Sequence, residues 1–250
     1  MDKVERQKLD LALAQAFSPA APIDEKQLFA GRTDQLRTVI DAICQRGQHA
    51  ILFGERGVGK TSLANVLSGF LEGIGKPVVA PRVNCDGVDT FSTLWRKVFS
   101  QIELSRSVKE IGFHAGDAKQ SVTAAHELGK VITPSDVQHI LTILAQNAVL
   151  IVIIDELDRL HDKRTKQLFA DTIKTLSDHS VPASLILVGV ADTVEELIQQ
   201  HQSIERALVQ VRMPRMSSVM SQKYIDEVIR LSYGASERRS PCDSVVPSRP

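Results

Sequence analysis

A glycine-rich run from Gly54 to Thr61 fits the pattern G-x-x-x-x-G-K-[ST] in full. The glycines allow backbone angles that a side chain would exclude, so consecutive N–H groups can point inward at phosphate oxygens. Lys60 brings a positive charge to the outer phosphates, and the Thr61 hydroxyl is an oxygen ligand for Mg²⁺. The pattern predicts that the loop binds ATP with Mg²⁺; the alternative is a glycine-rich turn without a ligand. The expected contact residues are Gly54, Glu55, Arg56, Gly57, Val58, Gly59, Lys60, Thr61 and Ser62.

Two neighbouring carboxylates, Asp155 and Glu156, follow the apolar run 151–154. They stand at the carboxyl end of a predicted buried strand, the edge where open α/β sheets bind ligands. Asp155 is predicted to hold the Mg²⁺ shared with Thr61, and Glu156 to polarise a water for attack on the γ-phosphate. The pair therefore favours hydrolysis of ATP over transfer of its γ-phosphate to an acceptor molecule. The alternatives are that Asp155 only caps the next turn and that Glu156 is a passive neighbour.

The elements that must position these residues alternate along the chain. Strands are expected at 49–53, 77–84, 149–154, 184–190 and 208–213, and helices at 34–45, 60–71, 90–102, 135–147, 163–177 and 194–201. This alternation indicates an α/β fold with a parallel sheet. We expect the three-layer α/β/α sandwich of a P-loop NTPase, with a mostly parallel five-stranded sheet. The polar stretch 103–133 is expected to be a loop or small insertion.

Composition narrows the class of protein. Lys plus Arg number 30 and Asp plus Glu number 30, so the basic excess typical of nucleic-acid binding is missing and such a partner is disfavoured. The cysteines, Cys44, Cys85 and Cys242, have no metal-site spacing. The charged amino terminus lacks the apolar core of a signal peptide, and the longest apolar run, 148–154, is too short to cross a bilayer. We therefore expect a cytoplasmic protein with no membrane partner.

On these residues the chain resembles the AAA+ ATPases, specifically the initiator-like (ORC-like) clade, over residues 28–216. The motifs GERGVGKTS and LIVIIDELD carry the likeness. The segment LFAGR resembles the family's upstream box, which packs beside the adenine. This resemblance implies that Phe29, Gly31 and Arg32 lie near the base.

Two further segments are similar to family motifs. SIER, ending at Arg206, and the following MPR at 213–215 resemble an arginine box. The resemblance implies that Arg206 is an arginine finger for the γ-phosphate of a neighbouring subunit; the alternative is a surface arginine at a helix end. After the strand at 184–190, the family places a polar sensor residue. Asp192 or Thr193 must serve in that position. Asp192 is assigned to it, although an acid beside a γ-phosphate departs from the family pattern.

The same resemblance suggests a domain organisation. We expect an amino-terminal helix and linker at 1–27 and an AAA+ type ATP-binding domain at 28–216. The family's helical lid is represented only by the start of one helix at 217–233. The Ser-, Pro- and Arg-rich stretch 234–250 is expected to be a disordered tail.

The predicted function is that of an AAA+ type ATP hydrolase, with activity weakened if the lid is missing. It would couple Mg-ATP binding and hydrolysis to remodelling of, or signalling to, a protein partner. The finger assigned to Arg206 implies an ATP-dependent homo-oligomer. The first alternative is a nucleotide-gated switch with slow turnover, which the short lid favours. The second is a DNA-associated initiator-like ATPase, which the neutral charge disfavours.

Overall fold

The computed structural model describes residues 32–71, 76–109, 117–197 and 204–215. The segment Arg32–Arg215 forms one compact unit. The predicted amino-terminal helix, lid helix and tail lie outside the described residues, and so do Phe29 and Gly31.

Helices and strands alternate along the described unit. The helices are α1 (Thr33–Cys44), α2 (Lys60–Phe70), α3 (Phe91–Ser100), α4 (Pro134–Leu144), α5 (Lys163–Asp178) and α6 (Val194–Leu197). The strands are β1 (His49–Phe53), β2 (Val78–Val79), β3 (Arg82–Asn84), β4 (Glu103–Lys109), β5 (Asp117–Thr123), β6 (Val149–Asp155), β7 (Ala183–Val188) and β8 (Leu208–Arg212). None of the helices in the described part of the chain has both the length and the apolar character that crossing a membrane requires.

The main sheet has the order β2/β3–β6–β7–β1–β8, and all of these strand pairs are parallel. Its six strands occupy five positions, because β2 and β3 both pair with β6. The strand expected at 77–84 is interrupted at Ala80 and Pro81. Pro81 has no N–H for the ladder, although its carbonyl still accepts from Ile153 N at 2.9 Å. The predicted α/β fold with a mostly parallel sheet is confirmed.

Helices cover the central strands on both faces. β1 and β7 are buried at every residue, as strands covered on both sides must be. On one face, Val152 and Leu185 belong to a core that includes an aromatic cluster from α3 and α5. In that cluster the Phe91 and Phe169 rings meet edge to face, with centroids 5.3 Å apart. On the other face lie α1, which contacts β1 and β8, and α2, which contacts β7.

The structure adds detail to two of the local predictions. The stretch 103–133, expected to be a loop or small insertion, contains the antiparallel pair β4–β5 and a 3₁₀ helix at Ala124–Glu127. These strands are too polar in sequence for an alternating pattern to reveal them, and cross-strand pairing defines them instead. Helix α4 begins at Pro134, one residue before the expected start at 135. Its cap is Thr133, and Asp136 completes a reciprocal capping box.

His49 generates a prediction about stability and pH. It is fully buried, its Nδ1 accepts from Leu185 N at 3.0 Å, and burial lowers its pKa to about 4. The unfolded chain takes up this proton near pH 6.5, whereas the folded chain does so only near pH 4. The stability that neutral His49 contributes is therefore complete above about pH 6.5 and falls by up to about 3 kcal/mol as the pH drops towards 4.

Urea unfolding of wild type and His49→Asn at several pH values checks this prediction, because the Asn amide oxygen can accept the same hydrogen bond without titrating. The free energy of unfolding of wild type should fall more steeply with acid than that of the variant. The exposed His179 offers a matched control, and His179→Asn should leave the slope unchanged. Equal pH slopes for wild type and His49→Asn would contradict the prediction.

Candidate functional site

The glycine-rich loop joins the end of β1 to the start of α2. Gly54, Gly57 and Gly59 have φ values of 139°, 79° and 86°, which disfavour any residue with a side chain. At Gly54 the demand is also steric, since a Cβ there would lie 2.5 Å from the Met213 carbonyl oxygen. Gly59 is the N-cap of α2 and provides no side-chain cap. The amino terminus of α2 thus keeps the uncapped N–H groups and positive dipole end that suit an anion.

Lys60 is the first residue of α2, and only 7% of its surface is exposed. Its ammonium donates to the carbonyl oxygens of Gly54 at 2.9 Å and Glu55 at 2.6 Å. Burial lowers its pKa, while the charges of Asp158 and Asp155 act in the opposite direction. The lysine therefore lies inside the loop with its positive charge directed at the loop backbone.

Asp155 ends β6 opposite the first turn of α2, with its side chain 4% exposed. Its Oδ2 accepts from Thr61 Oγ1 at 2.9 Å and from Arg82 Nη2 at 2.8 Å. Its Oδ1 accepts from the Glu156 N–H at 2.8 Å. The structure thus brings together Lys60, Thr61 and Asp155, the three side chains that the sequence predicted to share one site.

Glu156 has a left-handed backbone, with φ of 57° and ψ of 38°. This conformation is uncommon for a residue with a side chain, and such strain is concentrated at functional sites. The Glu156 carboxylate accepts from Arg159 Nη1 at 3.0 Å, and this hydrogen bond raises the pKa of Arg159. Among the described contacts, Arg159 therefore pairs with Glu156. Asp158 Oδ1 instead accepts from the Val190 N–H at 2.8 Å.

The loop after β7 lies against the glycine-rich loop. Gly189 N donates to Leu52 O at 3.1 Å, and Ala191 forms an antiparallel bridge with Gly54. Asp192, the predicted sensor, is the next residue and is exposed. The structure therefore places Asp192 beside the start of the glycine-rich loop.

The two arginines of the predicted arginine box lie at opposite ends of β8. Arg206 precedes this strand, is 78% exposed and pairs with Asp178 at 3.3 Å. Because β8 runs parallel to β1 and Arg206 precedes β8, Arg206 lies at the edge of the sheet opposite the glycine-rich loop. Arg215 follows β8 at the loop edge, where its Nε donates to Glu55 Oε2 at 2.7 Å. Arg206 therefore lies away from the glycine-rich loop of its own chain.

Arg32, the one described member of the predicted adenine box, has 5% of its surface exposed. Burial lowers the pKa of its guanidinium. Its backbone carbonyl accepts from Leu36 N at 2.9 Å, in the first turn of α1.

Arg82 and Asn65 belong to the site in the structure, although the sequence did not predict a role for either residue. Arg82 Nη1 donates to Asn65 Oδ1, one turn after Thr61 in α2. The only signal for Arg82 was a charged residue inside a predicted strand. Asn65 could have been noticed because residues four apart share a helix face.

A protein-family model described as AAA domain matches residues 43–198, more than half of the chain. The chain therefore belongs to the AAA domain family, and its fold and site define a nucleotide-binding ATPase of the P-loop class. No curated protein matches the chain.

Several solved structures share the fold. The Aeropyrum pernix ORC1 protein in complex with DNA has a TM-score of 0.55 and 14% identity, covering 86% of this chain and 53% of that chain. Cdc6p from Pyrobaculum aerophilum has a TM-score of 0.54 and 14% identity, and the match covers 87% of this chain and 53% of that chain. The Walker-type ATPase of Pyrococcus abyssi has a TM-score of 0.51 and 17% identity, and the match covers 89% of this chain and 63% of that chain. These identities show the fold alone, and the chain spans between 53% and 63% of the three proteins' lengths.

The loop geometry predicts different effects for alanine at two glycines. Gly54→Ala adds a Cβ 2.5 Å from a backbone oxygen, whereas Gly57→Ala adds a Cβ with nothing within 4 Å. Both substitutions introduce backbone strain of about 1–3 kcal/mol. Only Gly54→Ala also forces β8 to shift, so its free energy of unfolding should fall clearly further. Urea denaturation of the two variants measures the difference, and equal losses would contradict this steric account.

Proposed function

We propose that this protein binds ATP with Mg²⁺ at the glycine-rich loop and hydrolyses it. The observation that carries the proposal is the 2.9 Å hydrogen bond from the Thr61 hydroxyl to the buried Asp155 carboxylate, next to the buried ammonium of Lys60. A cation that can hold outer phosphates thus lies beside two oxygen groups that can hold a divalent metal. Residues 54–62 contribute the remaining phosphate contacts.

The residues present fit Mg²⁺. This ion prefers oxygen ligands and is commonly bound by one or two protein groups together with substrate phosphates. The Thr61 hydroxyl and Asp155 carboxylate are two such groups, and they already contact each other. The bound ion would neutralise charge on the phosphates during reaction. Thr61 and Asp155 hold it, and Lys60 positions the outer phosphates.

Glu156 is the proposed general base for water. Its backbone N–H is fixed by Asp155, and its left-handed conformation sets the direction of its side chain at the sheet edge. The carboxylate is 44% exposed and can reach solvent. It pairs with Arg159, and this contact must loosen before the carboxylate can accept a proton.

The remaining assignments follow the family resemblance. Phe29, Gly31 and Arg32 form the adenine side of the site, and Asp192 is the sensor beside Gly54. Arg206 is the arginine finger. Since Arg206 lies at the edge of the sheet opposite the loop, it serves the site of a neighbouring subunit in an ATP-dependent homo-oligomer. The domain spans 28–216, with the lid start at 217–233, and the protein acts in the cytoplasm on a protein partner.

A slow nucleotide-gated switch is the second candidate, and the pairing of Glu156 with Arg159 favours it. A base held in an ion pair is a poor proton acceptor, so bound ATP would be hydrolysed slowly. Turnover that stays slow at every protein concentration supports the switch. A sharp rise with concentration supports a finger in trans.

The ORC1 structure contains DNA, but duplex binding is not carried over to this chain. Phosphate contacts supply most of the affinity of DNA-binding proteins, and this chain has no net positive charge. Salt-sensitive binding to duplex DNA in a direct titration would revive a DNA-associated role.

Replacing Lys60 tests nucleotide binding. Lys60→Ala removes a charge-assisted contact to the outer phosphates and should weaken the binding of labelled ATP with Mg²⁺ by about tenfold to a hundredfold. Lys174→Ala, at an exposed position in α5, is the matched control and should bind like wild type. Circular dichroism confirms that both variants are folded. Wild-type affinity in Lys60→Ala would remove the basis of the proposed function.

A mixing experiment tests hydrolysis and the finger together. Glu156→Gln should lower the rate of phosphate release by about 10²–10⁴ and Arg206→Ala by about 10³ or more. Mixed oligomers of the two inactive variants contain sites with an intact Glu156 from one chain and an intact Arg206 from the next. Phosphate release should therefore reappear on mixing. Co-assembled chains that stay inactive would refute a finger in trans, and unchanged turnover in Glu156→Gln would refute its role as base.

A further inference from the structure

Arg82 is a charged residue in β3, and its backbone is held on the outer side of the sheet. Its N–H donates to Gln101 Oε1 at 3.0 Å, and its carbonyl accepts from Gln101 Nε2 at 2.6 Å. The Gln101 amide, just after α3, thus takes the place of a neighbouring strand. The inner side of β3 pairs with β6, where Asn84 lies opposite Asp155. The backbone of Arg82, from which its side chain extends, is therefore held at a fixed position relative to the end of β6.

The Arg82 guanidinium spans the two halves of the site. Nη2 contacts Asp155 Oδ2 at 2.8 Å, and Nη1 donates to Asn65 Oδ1 in α2. The side chain of Asp155 is 4% exposed and that of Arg82 is 28% exposed, so the pair is shielded from most of the solvent. The same Asp155 oxygen accepts from Thr61. Arg82 therefore contacts the carboxylate that the proposed function assigns to the metal site.

We propose that Arg82 is the resident counter-cation of Asp155, a positioning residue that sets how strongly nucleotide binding depends on Mg²⁺. This inference rests on the proposed function. A guanidinium is always charged, so Arg82 neutralises the buried carboxylate whether or not a metal is present. Its positive charge lies 2.8 Å from a carboxylate oxygen that is shielded from most of the solvent, where screening is weak.

Two opposite consequences follow from one fixed charge. In the absence of Mg²⁺, Arg82 offsets the repulsion between Asp155 and the nucleotide phosphates, so binding retains much of its strength. In the presence of Mg²⁺, Arg82 would repel the ion and compete with it for the Asp155 carboxylate, so the gain in nucleotide affinity from the metal would be limited. Removing the charge of Arg82 should therefore weaken metal-free binding and strengthen the response to Mg²⁺. A purely structural residue would change both affinities by a similar factor.

The test measures the dissociation constant of a fluorescent ADP analogue with the full chain, once in EDTA and once in excess Mg²⁺. The ratio of the metal-free to the Mg²⁺ constant should rise by about fivefold or more in Arg82→Gln. Arg82→Lys keeps a positive charge and should stay close to the wild-type ratio. The matched control is Arg96→Gln, since Arg96 donates only to the Gly129 and Lys130 carbonyls in the contacts described. Its ratio should equal that of wild type.

A ratio in Arg82→Gln within about twofold of wild type overturns the inference. If thermal melting shows that Arg82→Gln is unfolded, Asp155→Asn is compared with the double variant Asp155→Asn/Arg82→Gln, which leaves no unpaired charge at the pair. The double variant should bind the analogue more weakly than Asp155→Asn in EDTA, and equal metal-free constants again overturn the inference. Wild type that binds the analogue under neither condition counts against the proposed function instead.

Discussion

The hydrogen bond between Thr61 and Asp155 ties the first turn of α2 to the carboxyl end of β6. Asp155 is buried, and a buried charge is stable only when its oxygens are paired. Its three donors come from the phosphate-loop helix, from β3 through Arg82 and from the backbone of Glu156. A single carboxylate therefore determines where these elements meet, and the rest of the site is arranged around it.

The parallel sheet explains why distant segments converge on this carboxylate. β6, β7 and β1 are neighbours and end at the same edge, so the loops that follow them must pack together. Three contacts join the loop after β7 to its neighbours: the Gly189 N–H donates to the Leu52 carbonyl in β1, the Val190 N–H donates to the Asp158 carboxylate, and Ala191 forms a bridge with Gly54. A shift of the β7 loop would therefore reach both the glycine-rich loop and the turn that carries Glu156.

Charges in the site fall into a buried class and an exposed class. Lys60 and Asp155 are buried and bonded on several sides, so they cannot be moved without cost to the fold. The exposed ion pairs, such as Glu156 with Arg159 and Glu55 with Arg215, contribute little to stability because solvent screens them. Such exposed pairs can be broken at little cost, whereas the buried centre cannot. The described site thus combines a fixed buried centre with exchangeable exposed pairs.

The sequence by itself determined the glycine-rich loop, the acidic strand end and the α/β alternation, because each depends on local spacing or on apolar runs that need no distant partner. Tertiary structure alone decided the pairing of Arg82 with Asp155, the contact of Asp158 with Val190 and the β4–β5 strand pair. These features join residues far apart in the chain, and their residue types are equally common on solvated surfaces. Arg206 shows the same division: a motif could suggest its role, but only the parallel register of β8 showed that it lies away from its own phosphate loop.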